Sequence, residues 1–124
     1  MDSIFHRTSV REYTDQPVSA ELVQPLLRAP VGIAVCYRAD CRLLDYAQID
    51  CSAATENLLL EADALGLGAV WLGIAPLPDR MAAVGRVLAL PERLRVFGLV
   101  ACGWPAAQHP QQDRFDETRI HFIT

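Results

Sequence analysis

Residues 46–73 read YAQIDCSAATENLLLEADALGLGAVWLG, and the way this stretch folds organises the rest of the chain. Its first two thirds carry helix spacing. Ile49, Ala53, Leu60, Ala64 and Leu67 form one apolar stripe, and Ala54, Leu58, Ala62 and Leu65 form a second beside it. Ser52, Glu56 and Asp63 supply a thin polar edge. The helix is therefore expected to be covered on most sides, by its own sheet and by a second subunit. Gly66 stands where a helix needs a left-handed cap, and the run AVWLGI at 69–74 suits a short buried strand. The expectation is a buried helix running into a buried strand that ends at Leu72 and Gly73.

Working outward, the residues ahead of this unit supply a strand and a helix. VGIAVCY at 31–37 is apolar and rich in β-branched residues, and it follows Ala29-Pro30, a pair that stops a helix because proline disfavours the helical conformation in the residue before it. Ser19 is a plausible N-cap for a helix through Arg28, with Glu21 in its first turn and Leu22, Val23, Leu26 and Leu27 toward the core. A short helix is expected at 2–6, then a polar, irregular run at 7–13. On the other side, Pro76 and Pro78 open a helix at 79–88, Leu90-Pro91 closes it, and RVFGLVACG at 95–103 reads as a third strand buried on both faces. From 106 onward the chain turns polar, AAQHPQQDRFDETRIHFIT, and regains strand-like alternation only at Ile120, Phe122 and Ile123. Such an arm packs on something already folded, including a partner subunit, or frays in solvent.

Composition sets the outer limits. At 124 residues, 52% apolar and 7% aromatic, the chain suits one domain (1–124, with a carboxy-terminal arm at about 104–124) around an aliphatic core. No window approaches the roughly 18 uninterrupted apolar residues of a membrane span. The opening MDSIFHRTSV lacks an apolar signal segment, so a cytoplasmic location is expected. Fifteen acids against eleven bases give a net charge of −4, which argues against nucleic acid as a partner. Every base is arginine, so lysine Schiff-base chemistry is excluded, and arginine forks remain available for phosphate or carboxylate.

Three features could carry chemistry. In an extended segment Arg7, Ser9 and Arg11 alternate to one side and would offer two guanidinium forks and a hydroxyl to an anion; the same residues also fit a solvated surface loop. Cys36, Cys41, Cys51 and Cys102 are even in number but come without an export signal, so reduced thiols are expected. Cys36 and Cys102 lie inside apolar runs and read as small buried residues, while Cys36-x4-Cys41 lacks the second pair of a metal site. His6 and His121 stand singly beside apolar neighbours and read as structural, as do Glu56 and Asn57 at helix or dimer contacts. Trp71 fits a pocket-lining position or a core position.

Several pieces together resemble the FMN-dependent nitroreductase family. HRTSVREYTDQPVSAELVQPLLRA is similar to that family's opening helix, its arginine-x-serine-x-arginine phosphate loop and the helix that follows. ATENLLLEADALGLGAVWLG resembles its central helix and flavin-side strand, LALPERLRVFGLVACGWP a later strand, and FDETRIHF its carboxy-terminal arm. The four matches occur in the family's order. The resemblance implies an α+β fold with a central, mostly antiparallel sheet flanked by helices, in an intertwined homodimer with FMN at the subunit interface. It implies phosphate and ribityl contacts from Arg7, Ser9 and Arg11, with Thr8 contributing backbone. Arg114 would close on the phosphate from the other end of the chain, and the backbone of Leu72 and Gly73 would lie beside the N5 side of the flavin. NAD(P)H would be the hydride source and a small molecule such as a nitroaromatic or quinone the electron acceptor, with no side chain acting as catalytic acid or base.

One departure matters. Family members carry a longer segment between the second helix and the first strand, including an alanine-proline-serine…asparagine…glutamine-proline-tryptophan stretch that contacts the isoalloxazine ring. Here Arg28-Ala29-Pro30 runs straight into Val31. Two other readings therefore stay open: a shortened, flavin-free homodimer serving as a binding or structural protein, and a thiol-based redox or metal protein using Cys36 and Cys41.

Overall fold

The longest strand, β3 (Leu94–Gly103), is the centre of a three-stranded sheet. β1 (Val31–Arg38) and β2 (Gly68–Gly73) pair with it on either side, both antiparallel, in the order β1-β3-β2. The computed structural model of the chain describes residues 29–107 and 115–123. The short opening helix, the helix expected through Arg28 and the polar run at 7–13 lie outside them. Seven of the ten residues of β3 are buried, as its largely apolar sequence requires.

Helix α1 (Leu44–Ala64) joins β1 to β2 and covers one face of the sheet. Gly66, at φ +76°, ends it in a Schellman cap. The Gly66 amide donates to the Asp63 carbonyl at 2.9 Å, and the Leu67 amide to the Ala62 carbonyl at 2.8 Å. Leu67 then folds back onto the cluster that contains Ala62. Helix α2 (Pro78–Val87), with Pro78 at its start, connects β2 to β3. It ends in the same motif: the Ala89 amide donates to the Arg86 carbonyl at 3.1 Å and the Leu90 amide to the Gly85 carbonyl at 2.9 Å. Here the left-handed position, φ 49°, is filled by alanine. A Cβ costs about 1–2 kcal/mol in that conformation, partly offset by the extra backbone entropy glycine loses on folding. Ala89→Gly is expected to stabilise the fold by about 0.5–1 kcal/mol, read as a higher chemical-denaturation midpoint at unchanged slope.

The fully buried stripe of the helix shares only Ala62 with the two read in the sequence, although Leu58 and Leu67 pack partly against the core. Cys51, Thr55, Leu59 and Ala62 face the sheet, whereas Ile49 (61% exposed), Ala53, Ala54, Ala64 and Leu65 face outward. Ser52 and Asp63, assigned to the polar edge, are half-buried. A helix whose apolar residues are spread around its circumference contains no clear internal signal for which stripe meets the sheet, so packing against the sheet decides. Thr55 fits the buried stripe because its hydroxyl donates to the Cys51 carbonyl at 2.7 Å, which satisfies its hydrogen-bonding group inside the helix.

Along β3 the pairing with β1 skips one residue: Val35 stands opposite Gly98 and Cys36 opposite Val96, leaving Phe97 as the extra residue of a bulge. The bulge brings Phe97 onto the α1 side, where it clusters with Tyr37 and Cys51. Leu59, Ala62, Ala69, Val100 and Cys102 form the neighbouring cluster under the same helix. Val70, Leu72 and Ala101 lie on the opposite face and meet Ala29 there. The described end of the carboxy-terminal arm (115–123), expected to regain strand alternation, contains instead a 3-10 turn, Glu117–Arg119. Asp116 caps it, accepting from the Thr118 amide at 3.1 Å and the Thr118 hydroxyl at 2.6 Å. These bonds, the Thr118 hydroxyl first, lower the Asp116 carboxyl below its usual range. Phe122 and Ile123 are fully or nearly fully exposed, so the arm covers none of its apolar side chains at this end.

Candidate functional site

β2 forms an edge of the described sheet, and its last two residues were singled out in the sequence. Leu72, half-buried, packs on the Val70 and Ala101 face. Gly73 is exposed, and a Cβ built on it would meet no atom of the described residues within 4 Å beyond its chain neighbours. The strand therefore ends in bare backbone beside open space, a surface that a flat ring can approach. Beyond it the chain folds back over β3. Ile74 is buried, the Ala75 amide donates to the Phe97 carbonyl at 2.8 Å, and the Ala75-Pro76 bond is cis.

Trp71, one residue earlier, takes the core position. Its ring lies 5.5 Å from that of Phe97, tilted by 44°, and it packs against both clusters under α1. It rests directly on Gly98, where a Cβ would come within 2.5 Å of Nε1. The indole N–H is buried without a hydrogen-bond partner among the described residues. Beside it a cavity of about 430 Å³ is lined by Asp45, Gln48 and Ser52 of α1 and by Trp71, Pro76 and Phe97. Two of the helix residues are already tied down: the Gln48 amide donates to the Tyr37 hydroxyl at 3.3 Å, and the Ser52 hydroxyl to the Gln48 carbonyl at 2.9 Å. The sequence carried one trace of this arrangement. Gly98 interrupts an otherwise apolar strand, which is where a bulge or a close approach belongs.

The remaining sequence candidates divide cleanly. Arg7, Thr8, Ser9, Arg11, His6 and Arg114 lie outside the described residues. His121 is exposed on the terminal arm, and Glu56 and Asn57 are exposed on the outer face of α1. Cys51 and Cys102 are buried and Cys36 half-buried, and burial raises all three thiols above the ordinary value. A raised thiol stays protonated at neutral pH and so lacks the nucleophilic form that thiol redox chemistry uses. Among the described residues no group of three or more histidine, cysteine or acidic side chains is placed to hold a metal. The exposed Arg38 and Asp40 pair at 2.8 Å is local to the β1 end, and Asp40 is lowered chiefly by the hydrogen bond from Arg38. No helix among the described residues is long and apolar enough to cross a membrane.

Residues 26–104 match the family model of the nitroreductase family. A protein of Archaeoglobus fulgidus provisionally named NADH dehydrogenase/NAD(P)H nitroreductase is 44% identical over 105 residues, covering 79% of this chain and 59% of that protein. One of Methanothermobacter thermautotrophicus with the same provisional name is 42% identical over 94 residues, covering 75% of this chain and 49% of that protein. The chain thus spans about half to three fifths of the length of these relatives. Among solved structures, one from Clostridium acetobutylicum provisionally named NADH oxidase superposes with a TM-score of 0.85 at 26% identity, covering 99% of both chains. The α+β arrangement of helices on an antiparallel sheet is the nitroreductase fold.

Proposed function

The chain belongs to the nitroreductase family, and from that membership we propose that it is an NAD(P)H-dependent oxidoreductase working through FMN, with a nitroaromatic or quinone as electron acceptor. The observation that carries the reading is the end of β2. Gly73 presents exposed backbone with no atom of the described residues, beyond its chain neighbours, within 4 Å of the position a side chain would take, at the place the resemblance assigns to the flavin ring. In this reading Arg7, Ser9, Arg11 and Arg114 hold the FMN phosphate, with Thr8 contributing backbone, and charge-assisted forks both bind and orient it. Leu72 and Gly73 set the ring edge against main chain, where no side chain titrates. When bound, FMN supplies the hydride-accepting centre between NAD(P)H and the acceptor. The chain's part is to fix that centre and shape the space beside it.

The site is shared by two copies of the chain, acting in the cytoplasm as a single-domain homodimer. Support for the dimer comes from apolar side chains left outward by the monomer: Ile49 and Leu65 on α1, and Phe122 and Ile123 on the arm. Exposed apolar side chains on one element favour an interaction surface there.

A second reading has an observation of its own. Ala29 is buried against Val70 and Ala101, and two residues later Val31 already opens β1, so no ring-contacting segment intervenes. A chain shortened there would be a flavin-free homodimer serving as a binding or structural protein.

The visible spectrum of the purified chain, incubated with excess FMN and freed of unbound flavin, separates the two. Retained flavin bands that bleach on addition of NADH or NADPH support the oxidoreductase, and a folded, colourless protein supports the flavin-free dimer. Two variants test the assignment. Gly73→Val is expected to leave the thermal melt unchanged, because the side chain enters open space, while weakening FMN retention at least about 10-fold. The double variant Arg7→Ala, Arg11→Ala should weaken it by a similar factor or more, since each removes a charged hydrogen-bond donor. Unchanged flavin affinity in both would sink the assignment.

A further inference from the structure

A second cavity, of about 570 Å³, lies between α2 with its cap and the first residues of β3. Met81, Ala82, Leu90 and Val96 give it apolar walls, and Arg86 and Arg95 also line it. The two arginines differ from Arg38 and Arg119, which are engaged by Asp40 and Asp116. Among the described residues neither Arg86 nor Arg95 has a carboxylate partner. Arg95 is oriented by backbone alone, with one Nη donating to the Glu92 carbonyl at 2.7 Å and to the Leu94 carbonyl at 3.0 Å. That leaves its other donors available. The negative end of a helix usually repels an anion. At α2, however, the carbonyls of Val84, Gly85 and Arg86 are already taken by the amides of Leu88, Leu90 and Ala89. Glu92 stands in the same lining, so the cavity carries two positive charges against one negative.

We propose that this cavity binds an organic carboxylate with a flat or aliphatic apolar body, the body against Met81, Leu90 and Val96 and the carboxylate on Arg86 and Arg95. The volume falls within the roughly 300–1,000 Å³ range of small-molecule sites, and such sites combine an apolar lining with a few fixed polar groups. Charge complementarity selects the anion, because a guanidinium fork matches a carboxylate with two parallel bonds. The site is formed by α2 and β3 and does not depend on the flavin reading.

The test uses the purified full chain with excess FMN present, so that the proposed flavin site is saturated, and 2-naphthoate as the probe, titrated by calorimetry or ligand-observed NMR. Saturable binding with a dissociation constant of about 1 mM or lower is expected. The uncharged analogue 2-naphthalenemethanol should bind at least about 10-fold more weakly, as should naphthoate to the variant Arg86→Gln, Arg95→Gln. Glu92→Gln should tighten naphthoate binding a few-fold by removing the like charge. Gly85 lines the cavity, and a Cβ on it meets nothing within 4 Å. Gly85→Leu should therefore keep the helix, which gains a better helix former, while filling the site and abolishing naphthoate binding. Equal binding of acid and alcohol, undiminished binding to Gly85→Leu, or no binding to the parent chain would each overturn the proposal.

Discussion

Leu59→Ala is expected to destabilise the chain by about 2–5 kcal/mol, a large share of the roughly 5–15 kcal/mol that holds a domain of this kind together. Leu59 is 3% exposed and is the largest buried side chain of its cluster, whose other buried members are Ala62, Ala69, Val100 and Cys102. Those neighbours are short, and three of them project from the paired strands β2 and β3. None can swing into the space left by the leucine, and the sheet cannot bend toward it without breaking its register. The void would persist, and void volume is what places a leucine truncation at the costly end of the range. A denaturant titration checks this, with Val87→Ala as the control. Val87 is exposed on α2, and its truncation should change stability by no more than about 0.5 kcal/mol. If the two variants unfolded at the same denaturant concentration, the packing of α1 on the sheet would be wrong.

Gly98→Ala should cost about 1–3 kcal/mol by the opposite mechanism, overpacking. The added Cβ would stand 2.5 Å from Nε1 and 3.2 Å from Cδ1 of Trp71, and 3.5 Å from the Leu72 carbonyl oxygen. Trp71 cannot retreat without losing its contact with Phe97 and its place in two clusters. Because the next residues are Leu72 and Gly73, a displaced Trp71 would also disturb the backbone proposed to face the flavin. Lower thermal stability and loss of the native tryptophan fluorescence environment are the expected results. Adding Trp71→Leu to Gly98→Ala should recover part of the loss, since the clash has then been removed. A Gly98→Ala variant as stable as the parent, with unchanged fluorescence, would contradict the stacking of the indole on that glycine.

Both effects rest on contacts that local pattern could indicate only in part. Gly66 could be read in advance because a helix terminus with a glycine has one common solution, the left-handed cap, and it depends on residues three and five apart in the chain. The three strands and the helix at 79–88 were legible for the same reason: β-branched runs, prolines and apolar continuity are local. The apolar excess of 46–65 was legible too, but its buried stripe was not. Two sequence stripes were equally apolar, and the one that packs includes Thr55, whose hydroxyl is satisfied within its own helix. The terminal arm misled for a related reason. Alternation at Ile120, Phe122 and Ile123 describes side chains that could pair as a strand, yet a strand needs a partner, and no described strand pairs with these residues.

The sequence by itself determined the three strands, the two described helices, the Gly66 cap and the family resemblance, because these follow from neighbours in the chain and from motif order. Only the tertiary structure decided that Trp71 belongs to the core, that Phe97 bulges to the α1 side, that Gly98 must lack a side chain and that Arg86 and Arg95 share a cavity. Each of those depends on which residues of distant segments come within a few ångströms of one another. That is settled by sheet register and helix packing, which no single stretch of chain contains.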